Sequence, residues 1–272
     1  MQSFKLITED IRKIFPEYIN PISFYGYDHP VVIITETGNV PTEKTFSFRE
    51  ILSEKENKTI QKLRFRKDQN SYIITHATLR MILGKFLDIP PGKVEFITNP
   101  SGKPLLPEKH KDIHFNLSHS SEVSTLAFSA KSEIGVDVEK IDPGFNYHLI
   151  TRRYFSTAEN EYIREPDKDA CKRFYTLWTR KEAFLKAVGM GIGENLEVEV
   201  CRKINYFSPE KPFAGRHATD FYLKSYLFQS DYVISVAAND PCNIEFFLFD
   251  PDEKDLLPPI EFRERIPRWV SK

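Results

Sequence analysis

The sequence predicts an α+β fold of two pseudo-symmetric halves, each a small, mostly antiparallel sheet packed with a long helix. Three observations predict it. Helical and strand-like stretches follow one another without the regular alternation of a parallel βαβ sheet. A serine-led capping box, a short helix and a long helix occur twice, at Ser53 and again at Ser156. Runs with a two-residue hydrophobic period accompany each long helix. The predicted boundaries are 1–128 for the first half, 129–245 for the second, and 246–272 for a tail rich in proline and charge.

Taken in order, residues 1–30 read as mixed helix and loop, because Pro16, Pro21 and Pro30 interrupt any long element. Val31 to Thr35 is a β-branched run, hence a strand. Ser53-Glu54-Lys55-Glu56 has the Ser-x-x-Glu form of a capping box and opens a helix through about Leu63. A longer helix follows: Tyr72, His76, Leu79, Leu83 and Phe86 recur at three- and four-residue steps, and Pro90-Pro91-Gly92 ends it. Val94 to Thr98 reads as a strand, 99–104 as a turn-rich loop, and Ile113, Phe115 and Leu117 as alternate residues of another strand. A hairpin-like pair, 123–129 and 133–139, comes next. Ser156-Thr157-Ala158-Glu159 repeats the capping box, and a long helix spans about 169–188. Strands are predicted at 196–200, about 219–228 and 231–237, with one more apolar run from Ile244 to Phe249.

Composition narrows the function classes. With 272 residues, 40% hydrophobic and 28% charged, the chain is an ordinary globular protein with enough sequence for a sizeable core. A net charge of −1 gives no argument for nucleic acid or a membrane surface. No apolar run approaches the ~18 residues of a membrane span, and the first residues lack a signal-peptide core. Cys171, Cys201 and Cys242 are far apart, so neither a disulfide framework nor a zinc site is indicated and a cytoplasmic location is expected.

The chemistry-bearing stretch runs from 135 to 186. In Gly135-Val136-Asp137-Val138-Glu139 the alternation is that of a half-buried strand, so Asp137 and Glu139 share a face, roughly 6.5–7 Å apart at their Cα atoms. In the later helix Phe174, Leu177, Trp178, Leu185 and Val188 form an apolar stripe, which places Trp178 in the core. Glu182 and Lys186 stand one turn apart on its flank. Two carboxylates on a strand with a carboxylate and an ammonium on a helix suit a divalent cation held against a phosphate. The plainer reading is a solvated strand face and an i, i+4 surface ion pair.

Four segments stand together in order: Gly102-Lys103-Pro104, Asn116-Leu117-Ser118-His119-Ser120, Gly135-Val136-Asp137-Val138-Glu139, and Trp178-x-x-Lys181-Glu182-Ala183-x-x-Lys186. In this the chain resembles the 4′-phosphopantetheinyl transferases, specifically the larger surfactin-synthetase type with two halves in one chain. Leu79-Arg80 resembles the family pattern too, and the likeness covers about residues 50 to 240. The resemblance implies a site in the cleft between the halves. It also implies magnesium-dependent transfer of the phosphopantetheine arm of coenzyme A to a serine of an apo acyl or peptidyl carrier protein, releasing 3′,5′-ADP. Asp137, Glu139 and Glu182 are then the expected metal ligands, Glu182 the proton acceptor, and Lys186 the cation on the phosphate. Lys103, Pro104, Ser118 and His119 are the expected coenzyme A contacts, with His119 and Lys103 at the 3′-phosphate and adenine end. Family members often carry arginines just before the first long helix, where this chain has Gln69-Asn70-Ser71; Arg64, Arg66 and Lys67 lie close by. Two halves in one chain make a monomer sufficient.

Two other readings use the same residues. A coenzyme-A- or carrier-binding module without transfer activity is expected to lack one of Asp137, Glu182 or Lys186, and all three are present. A metal-dependent phosphohydrolase would release phosphopantetheine from coenzyme A with no carrier protein.

Overall fold

Both sheets are covered on two faces, and this decides most of the architecture. The computed structural model describes residues 8–10, 29–38, 40–130, 132–164, 169–191, 196–200, 206–207, 221–238, 244–249 and 251. The fold is α+β. One sheet has the strand order β11 (Glu245–Phe249), β2 (Val31–Glu36), β6 (Val123–Ser129), β5 (His114–Ser120). The other has the order β1 (Thr8–Asp10), β9 (Phe221–Phe228), β10 (Tyr232–Ala238), β7 (Ile134–Lys140), with β8 (Tyr206–Phe207) also on β9. Pairing is antiparallel except where β11 meets β2 and β1 meets β9. A two-residue ladder, β3 (Ile97–Thr98) with β4 (Pro104–Leu105), stands apart.

The helices are α1 (Thr42–Glu50), α2 (Glu54–Lys62), α3 (Arg66–Phe86), α4 (His148–Tyr154), α5 (Thr157–Ile163) and α6 (Ala170–Ala187). Residue parity along each strand shows the layering. Val32 and Ile34 of the first sheet pack with Val136, Val138, Ile234 and Val236 of the second, filling the space between the sheets. Val31 and Ile33 turn the other way, to Leu79, Ile82 and Leu83 of α3. In the second sheet Leu223 and Val233 turn outward to Leu177, Phe184 and Leu185 of α6. The order is therefore α3, sheet, sheet, α6. Helices α1 and α2 pack on α3 through Phe48, Ile60, Ile73 and Ile74.

Each half ties its long helix to its capping box in the same way. Ser53 and Glu56 form a reciprocal capping box, as do Ser156 and Glu159. Glu56 also receives Arg80 of α3, with Nη2 at 2.8 Å, and Arg80 donates through Nη1 to the Val94 carbonyl at 2.9 Å. Glu159 receives Lys181 of α6 at 2.8 Å, and Lys181 donates to the Val198 carbonyl. These carbonyls follow the long helices in both halves, so the likeness is one of wiring as well as of element order.

The structure corrects several sequence expectations. Residues 8–10 are not helix or loop but a strand of the second sheet. Residues 246–249, assigned to the tail, are strand in the first sheet, and the expectation of a loosely held tail at 252–272 lies outside the described residues. The segment 196–200 forms no ladder. Its backbone is satisfied by side chains instead: Lys181 takes the Val198 carbonyl, while the Val200 amide donates to Glu159 Oε1 at 2.9 Å. Val94 is likewise outside any strand, its carbonyl taken by Arg80.

Strand β7 is not half-buried as its alternation suggests. Helix α6 lies directly on its polar face, and Asp137 is 1% exposed. Gly135 permits this: a Cβ there would stand 2.0 Å from the Ala183 carbonyl oxygen and 2.4 Å from the Ala187 nitrogen. Only a residue without a side chain lets the helix come so close.

Candidate active site

The two sheets meet along β5 and β7, and the seam is bridged by side chains. Asn116 Oδ1 accepts the Val136 amide at 2.9 Å, and Ser120 Oγ accepts the Lys140 amide at 3.1 Å. The same face of β5 carries Ser118, whose Oγ donates to Asp137 Oδ1 at 2.8 Å. Strand alternation thus delivers Asn116, Ser118 and Ser120 together to the edge of β7. From the other side α6 is held on its sheet by Thr179, whose hydroxyl is 2.7 Å from that of Ser235 on β10. Glu182 and Lys186, one and two turns further along, then fall over Asp137 and Glu139.

The result is a cluster of three carboxylates and one ammonium. Asp137, Glu139 and Glu182 offer oxygen atoms that all lie within 4.8 Å of one another. Lys186 Nζ donates to Asp137 Oδ1 at 2.6 Å and to Ser118 Oγ at 2.9 Å. Glu139 Oε2 accepts from Ser120 Oγ at 2.8 Å, and the Trp178 side chain also hydrogen-bonds this carboxylate. One ammonium does not balance three carboxylates. Burial, then the Asp137 charge, pushes Glu182 up to about 8, against the opposing pull of Lys186. Burial and Asp137 likewise push Glu139 up to about 7.

A hard divalent cation fits these residues. Asp137 Oδ1 is fully engaged, but its buried Oδ2 has no hydrogen-bond partner. A buried carboxylate oxygen left unpaired is costly unless a cation meets it. The donor set is all carboxylate oxygen, the type that magnesium or calcium prefers, with water and substrate oxygens free to complete the shell.

The remaining expected residues sit at varying distance from this centre. Ser118 is part of it. His119, next on β5, points to the opposite face with Phe115 and Leu117 and is exposed. Although its residue surface meets solvent, the protein packed around the ring lowers its pKa, and the charges of His76 and Lys186 add to that effect, so these three groups sense one another. Lys103 is engaged elsewhere, with Nζ 2.8 Å from Glu133 and 3.0 Å from the Ala187 carbonyl at the end of α6. The neighbouring Asn99 donates to the Gly189 carbonyl at 2.7 Å, so the turn that leads into Pro104 of β4 is fastened to the C-terminal end of α6. Arg64 and Arg66 line a separate cavity.

Sequence reasoning did not single out two residues that touch the cluster, Ser120 and Trp178. Ser120 shares a strand face with Ser118, which alternation could have revealed. Trp178 does stack on Phe174, yet it stands four residues before Glu182 and so reaches Glu139 as well. Lys181, quoted within a chemistry-bearing motif, is fully buried and belongs to the Glu159 pair.

Comparison with known proteins covers both halves. The model described as 4′-phosphopantetheinyl transferase, N-terminal, matches residues 40–131, and that of the 4′-phosphopantetheinyl transferase superfamily matches 133–237. The Nostoc 4′-phosphopantetheinyl transferase HetI is 35% identical over 140 residues, which is 50% of this chain and 59% of HetI. The Bacillus subtilis 4′-phosphopantetheinyl transferase Sfp is 27% identical over 201 residues, 73% of this chain and 87% of Sfp. The Xenopus laevis L-aminoadipate-semialdehyde dehydrogenase-phosphopantetheinyl transferase is 29% identical over 153 residues, 52% of this chain and 51% of its own length.

Proposed function

Because this chain belongs to the 4′-phosphopantetheinyl transferase superfamily, we propose that it transfers the 4′-phosphopantetheine arm of coenzyme A to a serine of an apo acyl or peptidyl carrier protein. The carrier serine oxygen attacks the phosphorus bearing the pantetheine arm. The bond from that phosphorus to the bridging oxygen breaks, and 3′,5′-ADP leaves. The observation that carries this reading is the convergence of Glu182 and Lys186 of α6 on Asp137, whose Oδ2 is buried and unpaired.

Each residue has a distinct task. Asp137, Glu139 and Glu182 would hold magnesium, which when bound supplies positive charge to the pyrophosphate. Glu182 accepts the serine proton, directly or through a water; burial keeps its affinity for protons close to neutral pH, where a general base works best. Lys186 offers an ammonium to the phosphate as negative charge builds there. Ser118 orients both Asp137 and Lys186. His119 takes the 3′-phosphate end of coenzyme A, and Lys103 and Pro104 contact the ligand elsewhere along its length. The carboxylate cluster lies at the seam where β5 of one sheet meets β7 of the other, which supports the surfactin-synthetase type acting as a monomer. Three cysteines far apart in sequence support a cytoplasmic location. Among the described residues no helix is long and apolar enough to cross a membrane.

Incubation with coenzyme A, magnesium and a panel of apo carrier domains tests the reaction. The expected product is a carrier heavier by one phosphopantetheine group, with 3′,5′-ADP released in equal amount. Release of phosphopantetheine from coenzyme A in the absence of any carrier would instead favour hydrolysis.

A further inference from the structure

On the reading of Lys103 as a coenzyme A contact, we propose that Glu133 sets the affinity for that ligand by competing with its phosphate for the Lys103 ammonium. In the structure this ammonium faces the second half. Its Nζ stands 2.8 Å from Glu133 Oε2 and donates to the Ala187 carbonyl at 3.0 Å. Both partners suit a cation. Glu133 brings a full negative charge, and Ala187 is the last residue of α6, where the helix dipole is negative. Part of the donor capacity of the ammonium is thus taken before any ligand arrives. A phosphate that takes Lys103 has to displace the Glu133 carboxylate or suffer its repulsion.

The surroundings make this exchange feasible. Glu133 immediately precedes β7, and the buried Ile134 behind it fixes where the carboxylate starts from. The Glu133 side chain is 42% exposed, so water can receive it when it lets go. Lys103 is only 8% exposed, and its stem runs past Gly189, where a Cβ would stand 3.6 Å from Lys103 Cδ. A cation so little hydrated is costly to leave unpaired, so Glu133 gives way only as a ligand oxygen takes over. His114 stands 3.8 Å from the other Glu133 oxygen, but burial lowers its pKa. At neutral pH Lys103 is therefore the cation that Glu133 meets among the described residues. The turn itself is held separately. Asn99 donates to the Gly189 carbonyl at 2.7 Å, and its Oδ1 accepts the Lys103 amide at 2.8 Å. Breaking the ion pair thus leaves the turn in place and releases the ammonium. The apparent affinity of a site falls with the fraction of molecules in which it is not free to bind, so removing the competitor raises it.

Equilibrium titration of the full chain with coenzyme A, at saturating magnesium and without a carrier protein, tests the competition. Glu133→Gln should bind coenzyme A about 2- to 5-fold more tightly than the wild type, the span that a part-exposed ion pair commands. Glu133→Asp keeps the charge but is too short to reach Lys103, so it should also bind more tightly, and it carries the test should Glu133→Gln fail to fold. Asn99→Ala loosens the same turn, leaves the ion pair, and should not gain affinity. If the pair only fastens the turn to α6, both Glu133 variants bind more weakly, and the proposal is overturned. A gain confined to Glu133→Gln would mean simple repulsion of an anion, and an equal gain in Asn99→Ala would mean a loosened turn; either overturns it too. Lys103→Met separates the competition from the reading beneath it. Weaker binding by Lys103→Met with no gain in the Glu133 variants sinks the competition alone. Wild-type binding by Lys103→Met removes Lys103 from the coenzyme A site and the competition with it. No binding of coenzyme A by the wild-type protein contradicts the transferase reading itself.

Discussion

Asp137 has one oxygen fully occupied by Ser118 and Lys186 and another with no partner, and around it burial and the Asp137 charge raise the pKa of Glu139 and Glu182. This has a consequence for pH. Glu139, raised to about 7, and Glu182, raised to about 8, bind protons in the folded state at pH values where the unfolded chain has lost them. Their contribution to stability is fully present below the ordinary glutamate range and is lost as pH rises through 7 to 8. Glu56 has the opposite sign. Its carboxylate is held down to about 2 by hydrogen bonds from His76, Arg80 and Ser53, which outweigh its burial, so its stabilisation is lost only as pH falls towards 2. With a chelator present, the melting temperature is expected to fall between pH 5 and pH 8.5, and saturating magnesium should flatten that fall. A chelated protein with no slope, or the same slope with magnesium, would show that the carboxylates do not share one site. The identities of these residues were legible in the sequence, because Asp137 and Glu139 alternate on a strand and Glu182 and Lys186 stand one helical turn apart. Their burial was not, because it depends on α6 crossing over Gly135, a contact that local periodicity does not encode.

The same limit applies to whole elements. Both capping boxes could be read from Ser-x-x-Glu, but not the reach of Glu56 and Glu159 to the long helices, which joins residues more than twenty positions apart. These pairs decide how α3 and α6 lie, and so where Glu182 and Lys186 point. Lys181 and Glu159 are both fully buried. Removing one member of such a pair leaves an uncompensated charge, typically at a cost of about 3–5 kcal/mol. Lys181→Met is therefore expected to lower the urea-unfolding free energy by about that amount. Changing the exposed Lys58, which pairs with Glu54, should alter it by less than ~1 kcal/mol. Equal small effects at both positions would mean that the buried pair does not anchor α6. The missing ladder at 196–200 follows from the same wiring. Leu196, Val198 and Val200 are buried in alternation as they would be in a strand, while Lys181 and Glu159 take the backbone groups that a neighbouring strand would have used.

Across the whole molecule the two sheets exchange strands from the chain's ends, with β1 in the second sheet and β11 in the first. Ile244 to Phe249 was legible as an apolar run, but not as a strand of the first sheet, because its partner, β2, lies some two hundred residues earlier and no local signal specifies a pairing at that separation. Phe246 and Phe247 are both buried in the first half, and Phe246 meets Tyr226 of the second sheet edge-on, with ring centroids 4.5 Å apart. Ending the chain before Glu245 should therefore remove about 3–6 kcal/mol of burial and lower the melting temperature of the entire protein. A truncated protein that melts like the full chain would show β11 to be dispensable. With both sheets locked, α6 is fixed over β7 and the cluster forms where the two sheets meet. The central claim is that this cluster performs phosphopantetheine transfer. Single-turnover transfer to an apo carrier at saturating coenzyme A and magnesium tests it most directly. Glu182→Gln should be slower by ~10²-fold or more, the usual contribution of a general base, and Lys186→Ala should lose rate at saturation rather than affinity for coenzyme A. If both variants transfer at the wild-type rate, the account of this site is wrong.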